Sequence, residues 1–209
     1  MLHTQTVTGA TLGLLKRLMA RPELAQFTLV GGTNLSLRLG HRKSIDLDLF
    51  TNDSFDPQVL AATLPSIFPK TEVVSMSNVM LFLYIEDVKM DMVSLPYPWL
   101  QAFDVEEEIR LASLPDVAAM KLSAIARRGV KKDFWDIAAL LDYFSLEEML
   151  DFYRRKYSSH DIFHLLRSLV YFNDADAQKD PAPLDNTTWK QVRKKVEAVV
   201  QRYVDNNLR

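Results

Sequence analysis

Two aspartates on alternate residues, Asp46 and Asp48, stand in the run Ile45-Asp46-Leu47-Asp48-Leu49. Two steps along an extended strand cover about 6.6 Å, and alternate side chains leave the same face. The two carboxylates can therefore converge on one divalent cation or on a close pair. Hard oxygen ligands on a rigid strand suit Mg2+ (or Mn2+), which keeps several waters and takes the rest of its shell from substrate phosphates. Asp91 is a charged residue inside the otherwise apolar Val88-Lys89-Met90-Asp91-Met92-Val93, and is the third carboxylate expected beside them. Upstream, Gly31-Gly32-Thr33 follows the apolar Phe27-Thr28-Leu29-Val30 and opens a helix. The first N–H groups of that helix, with the Thr33 hydroxyl, are suited to a phosphate. Arg42, Lys43 and Ser44 lie directly before the aspartates and offer contacts to a triphosphate. No Gly-Lys-Ser/Thr follows the glycines and no G-x-G-x-x-G is present, so neither a P-loop nor a dinucleotide fingerprint is at hand.

Three further groups carry weight. Lys121 falls on the apolar stripe of a helix, where a lysine either snorkels to the rim of a core or brings an ammonium to phosphate charge at a cleft edge. Asp133 and Asp136, three apart, share a helix face; they either pair with the neighbouring Arg127, Arg128, Lys131 and Lys132 or belong to a site. Those bases form the densest cationic cluster of the chain and offer contacts to nucleotide or RNA phosphates. His160 and His164 have the i, i+4 spacing of a helical zinc motif. Asp161 stands where that motif needs Glu, and no third ligand is near, so a zinc hydrolase is disfavoured.

The elements that must position these residues follow from periodicity. Helices are expected at 10–20, 33–39 (closed by Gly40) and 57–68, the last begun by Asp53 or Ser54. Strands are expected at 27–30, 45–50, 71–77, 79–86 and 88–95, with Glu86-Asp87 as a hairpin turn. In the second strand Ile45, Leu47 and Leu49 are expected to face the core. After Pro96-Tyr97-Pro98 the pattern turns helical: 113–128 capped by Ser113, 132–143, a capping box at Ser145, a start at 158–161, a loop at 173–186 and a helix at 188–206. This predicts an α+β fold, with an α/β core over 1–98 and a helical domain over 99–209 that completes a cleft.

At 209 residues with 48% apolar and 25% charged content, the chain can bury a substantial core, and a net charge of −2 argues against a uniformly basic nucleic-acid binder. It has no cysteine, which excludes disulfides, zinc–thiolate sites and a Cys nucleophile. No signal peptide or membrane-length apolar run is visible, so a cytoplasmic protein is expected.

With these residues in place, the chain resembles the AbiEii/AbiGii family of nucleotidyltransferase-like toxins, within the DNA polymerase β-type nucleotidyltransferase superfamily. The likeness rests on Gly31-Gly32-Thr33-Asn34-Leu35, on Arg42-Lys43-Ser44-Ile45-Asp46-Leu47-Asp48-Leu49, and on Lys121-Leu122-Ser123-Ala124, Arg127-Arg128 and Asp133-Phe134-Trp135-Asp136. It implies a polymerase β-like core and transfer of NMP from an NTP to an acceptor hydroxyl, with pyrophosphate leaving. Asp46 and Asp48 would be metal ligands, with Asp91 as the third. Gly32 and Ser44 would line the triphosphate site, and Lys121 with Asp133 or Asp136 would complete the catalytic site. The resemblance also implies an RNA acceptor such as tRNA and a cognate antitoxin. The alternatives are a catalytically silent member that binds nucleotide or a partner, and an enzyme that modifies an antibiotic.

Overall fold

Strand β1 (Thr28–Val30) is buried along its whole length and runs straight into helix α2 (Gly31–Leu39). Gly40 closes that helix with φ 68°, a left-handed cap that a glycine adopts without strain. Strand β2 (Leu47–Thr51) returns antiparallel to β1 and sets Asp48 beside Val30. Helix α3 (Pro57–Ile67) and strands β3 (Thr71–Ser77), β4 (Met80–Ile85) and β5 (Val88–Ser94) follow, with β5 parallel to β2. The structure, a computed structural model, describes residues 1–158 and 162–207.

Beyond residue 98 the sheet continues. Strands β6 (Asp104–Glu106) and β7 (Ile109–Leu111) form a hairpin, and β7 runs parallel to β1. The resulting order is β3-β4-β5-β2-β1-β7-β6, so the sheet takes two strands from the part of the chain expected to be helical. One face packs on α1 (Gly9–Met19) and α3 through Leu14, Leu18, Leu47, Leu49, Leu83 and Met90. A second core joins Val30 and Leu35 to the helices α4 (Leu114–Arg127), α5 (Lys131–Leu140), α6 (Leu146–Tyr157), α7 (Phe163–Leu169) and α9 (Trp189–Asn207). Fully burying a leucine stabilises by about 2 kcal/mol. A one-residue slip of β2 would expose Leu47 and Leu49 and bury Asp48 in their place, so the register that aims Asp48 at the helical layer is strongly specified.

Several expectations change. Ile45 is 67% exposed and lies before β2, because the chain at 43–44 bonds instead to Ala182 and Thr6. Helix α3 is capped by Asp56, whose Oδ1 accepts from Gln58 and Val59 N–H, rather than by Asp53 or Ser54. Helix α5 ends at Leu140, with turns over 141–143. The stretch 173–186 holds one helical turn, α8 (Asn173–Asp176), and a bridge from Pro183 to Arg42. The Ser145–Glu148 capping box forms as expected. Ser158 closes α6 in a left-handed conformation rather than opening a helix, and the rest of the start expected at 158–161, with the His160-Asp161 part of the zinc-like pattern, lies outside the described residues. Among the described residues no helix is long and apolar enough to cross a membrane.

Candidate active site

Asp48 and Asp91 sit directly opposite each other on the neighbouring parallel strands β2 and β5, on the face turned toward α4. The reason lies in the alternation: Leu47, Leu49, Met90 and Met92 occupy the other face and are buried. The Asp48 carboxylate lies against the start of α2. Gly31 there has φ +69°, and a Cβ at that position would collide with Asp48 Oδ2, so only glycine lets the carboxylate approach this backbone. Burial, with Asp91 and Asp46 nearby, raises the Asp48 carboxyl above its ordinary value against the pull of Lys121 and Lys132. Asp91 Oδ2 is 3.2 Å from Lys89 Nζ, while its Oδ1 is buried with no hydrogen-bond partner. Asp46, just ahead of the strand, has Lys132 Nζ of α5 3.4 Å from Oδ2, and its backbone carbonyl accepts from the Thr33 hydroxyl. Among the described residues no three His, Cys, Asp or Glu side chains are already gathered into a metal cage.

Across the cleft stands Lys121. Its Nζ is 2.8 Å from Asp133 Oδ1 and 2.6 Å from Asp136 Oδ2. Burial would lower this amine, but the two carboxylates outweigh both that and Arg42, leaving it raised and protonated. Both aspartates are fully buried. Asp136 also takes a fork from Arg42, Nε to Oδ1 at 2.7 Å and a terminal nitrogen to Oδ2 at 2.8 Å, while His41 Nε2 lies 2.8 Å from Oδ1. Burial alone would raise Asp136; Arg42, Lys121 and the His41 hydrogen bond hold it well below the usual carboxylate range. It is therefore an acceptor only, and His41 Nε2 donates to it.

The expected site residues thus divide. Gly31, Asp48, Asp91, Lys121, Arg127 and Arg128 line one cleft of about 430 Å3, with Asp46 at the adjoining strand entry. Arg127 is tied to Ser123, and Arg128, largely exposed, reaches Asp133 at 3.1 Å. Thr33 is wholly buried, its hydroxyl 2.9 Å from that of Ser44, so it ties the strand entry to α2. Arg42 is buried on Asp136, and a Cβ on Gly32 would collide with it. Arg42, Asp133 and Asp136 therefore form the support under Lys121 rather than the cleft surface.

Sequence reasoning missed the apolar wall. Met80, Phe82 and Val93 from the sheet, Met120 from α4 and Tyr157 from α6 line the cleft, and burial pushes the Tyr157 phenol up to about 12. The alternation of Met80, Phe82 and Tyr84 could have placed the first two; nothing local marks Tyr157.

The family model for the nucleotidyl transferase AbiEii toxin of type IV toxin–antitoxin systems matches residues 13–206. Uncharacterized protein aq_aa25 of Aquifex aeolicus (strain VF5) is 31% identical over 188 residues, covering 86% of this chain and 89% of that one. Among solved structures, a protein of H. pylori assigned as a nucleotidyltransferase matches with a TM-score of 0.57 at 19% identity, over 95% of this chain and 96% of its own. The antibiotic-resistance factor ANT(2'')-Ia matches with a TM-score of 0.52 at 15% identity, over 69% and 89%. At such identities the structural likeness shows the fold: a mixed sheet with a helical layer, as in polymerase β-like nucleotidyltransferases. Together with the family match over nearly the whole chain, it shows that this protein belongs to the AbiEii family and is a nucleotidyltransferase.

Proposed function

We propose that the cleft transfers NMP from an NTP to a hydroxyl of an RNA acceptor, tRNA being the first candidate, in the setting of a cognate antitoxin. The observation that carries this reading is the pairing of Asp48 with Asp91 across β2 and β5, facing Lys121. The residues fit a divalent ion: Asp91 keeps a buried oxygen without a partner, and Gly31 leaves the Asp48 carboxylate room that a Cβ would take. Asp46, Asp48 and Asp91 would hold Mg2+ or Mn2+, and an open carboxylate set suits an ion that shares its shell with water and phosphate. When bound, the ion would screen negative charge on the α-phosphate and the leaving pyrophosphate.

The remaining work falls to the chain itself. The N–H groups opening α2, reachable because position 31 has no side chain, receive the triphosphate. Lys121, kept protonated and aimed by Asp133 and Asp136, brings fixed positive charge to the phosphates without reorganising. The acceptor hydroxyl oxygen forms a bond to the α-phosphorus as the bond to the bridging oxygen breaks. The hydroxyl proton passes to one of the carboxylates of Asp46, Asp48 and Asp91, on this reading that of Asp91.

The test is incubation with total tRNA, Mg2+ and each labelled NTP in turn. Label enters tRNA with at least one NTP, and Asp46→Ala abolishes it. Transfer that survives Asp46→Ala would sink the metal site, and absence of transfer to any RNA, protein or small acceptor would sink the activity. Label on an aminoglycoside but not on RNA would reassign the acceptor.

A further inference from the structure

Beyond the catalytic pair, the sheet carries an ordered surface that the transfer step leaves unused. On β4, Leu81, Leu83 and Ile85 are buried against α3 and its neighbours, so Met80, Phe82 and Tyr84 share the opposite face. Strand register places Phe82 beside Asp91 and Tyr84 beside Lys89, and on β3 places Ser75 beside Phe82 and Glu72 beside Tyr84. Neighbouring strands lie about 4.8 Å apart and like-facing residues about 6.6 Å apart along a strand. Moving outward from Asp91, the surface therefore presents an aromatic ring, an ammonium and a second aromatic ring within a few such steps. The rows of Met80 with Val93 and of Phe82 with Asp91 line the cleft together with Met120 and Tyr157, and the surface runs out from there to Tyr84, 39% exposed, and the exposed Lys89. Gly31 and the start of α2 lie on the β1 side of Asp48, and this surface lies on the Asp91 side, so a triphosphate at one leaves the other for an acceptor.

We propose that the open face of β3–β5 is the track on which the single-stranded end of a nucleic-acid acceptor lies, with bases stacked on Phe82 and Tyr84 and a phosphate at Lys89. The inference rests on the proposed transfer to RNA and adds how the strand is held. Aromatic rings spaced along a sheet bind unpaired bases whatever their identity, because every base has a π face. A duplex keeps its bases stacked on each other and cannot use the rings. Charge bears on the same occupant: Lys89 on the track and the half-exposed Lys132 and Arg128 across the cleft mouth are paired to Asp91, Asp46 and Asp133, and their solvent-facing N–H groups are left to meet a phosphate backbone. Glu72, beside Tyr84 at the outer end, opposes it and sets the limit of the track.

The experiment titrates the whole protein into a short labelled single-stranded RNA of mixed sequence, and into the same strand annealed to its complement, following anisotropy. Wild type binds the single strand more tightly than the duplex. Tyr84→Ala weakens single-strand binding roughly tenfold, the scale of one lost base–ring stack, while Tyr84→Phe stays close to wild type. Glu72→Gln tightens binding, because an anion leaves the path of the backbone. Unchanged binding in Tyr84→Ala, equal affinity for duplex, or no binding by wild type would each overturn the track, as would a self-association that Tyr84→Ala abolishes without any RNA binding. Nucleotide transfer is scored separately on the same variants. Single-strand binding that depends on Tyr84, without transfer, leaves the track standing and removes the transfer reading. Transfer to tRNA with the same KM in Tyr84→Ala removes the track and leaves the reaction.

Discussion

Burial, with Asp91 and Asp46 nearby, raises the Asp48 carboxyl, so the folded chain disfavours the charged form of this group. A carboxyl whose folded pKa lies above its unfolded one favours folding only while protonated. Its contribution is intact at acid pH and is lost as pH rises from the unfolded value through the folded one. Asp48→Asn is accordingly expected to melt at a higher temperature than wild type at pH 7, with the gain vanishing below the carboxylate range, while transfer falls at least about a hundredfold. Melting curves across pH and a label-transfer assay read the two effects, and a lower melting temperature at pH 7 would contradict the assignment. Asp136 is the opposite case. Held well below the ordinary range by Arg42 and Lys121, it gives stability that is full above the unfolded carboxylate value and lost only as pH falls through its own low pKa. Arg42 illustrates the limit of the sequence at this scale. Beside Ser44 and Asp46 it looked like a phosphate contact, but its partner is 94 residues away, and no local pattern points there.

At the scale of elements, what was legible is what repeats over several residues. The strand–glycine–helix–strand unit from β1 to β2, the Ser113 and Ser145 caps and the long α9 all follow from periodicity and capping chemistry. The β6–β7 hairpin did not show because each strand has three residues and its turn is Glu107-Glu108, both with positive φ. Asn-Gly or Asp-Gly would have signalled such a turn; two glutamates do not. Glu86-Asp87 has the same backbone and was readable only because long alternating strands flank it. That unheralded hairpin also holds Arg110, which donates to the carbonyls of Phe27, Met19 and Leu24 at 2.9, 2.8 and 2.9 Å. One guanidinium thus closes the end of α1 and the turn before β1. Arg110→Ala is expected to cost about 2–3 kcal/mol in chemical denaturation, the scale of lost charged hydrogen bonds with carbonyls left unpaired. A change below about 0.5 kcal/mol would show that water replaces the guanidinium there.

At the scale of the molecule, the cleft belongs to neither half alone. Its floor is sheet and its far wall is α4, and the two are joined through Arg42–Asp136, Lys132–Asp46 and the parallel pairing of β7 with β1. A fragment of residues 1–98 would leave β1 as an open edge and Val30 and Leu35 uncovered. It is expected to aggregate or lack fixed tertiary structure, whereas the full chain loses secondary and tertiary signals in one coincident transition. A monodisperse, cooperatively folding fragment would refute that coupling. The loop before Asp46 extends the point toward the other end of the chain: Lys43 N–H bonds to the Ala182 carbonyl, and Leu184 N–H to that of His41. Residues synthesised long after the loop thus fasten the stretch that leads into Asp46 and Asp48. During synthesis the aspartates emerge first and stay unfastened until residues 182–184 have followed them, so a copy interrupted before that point lacks the bonds that hold the entry to β2.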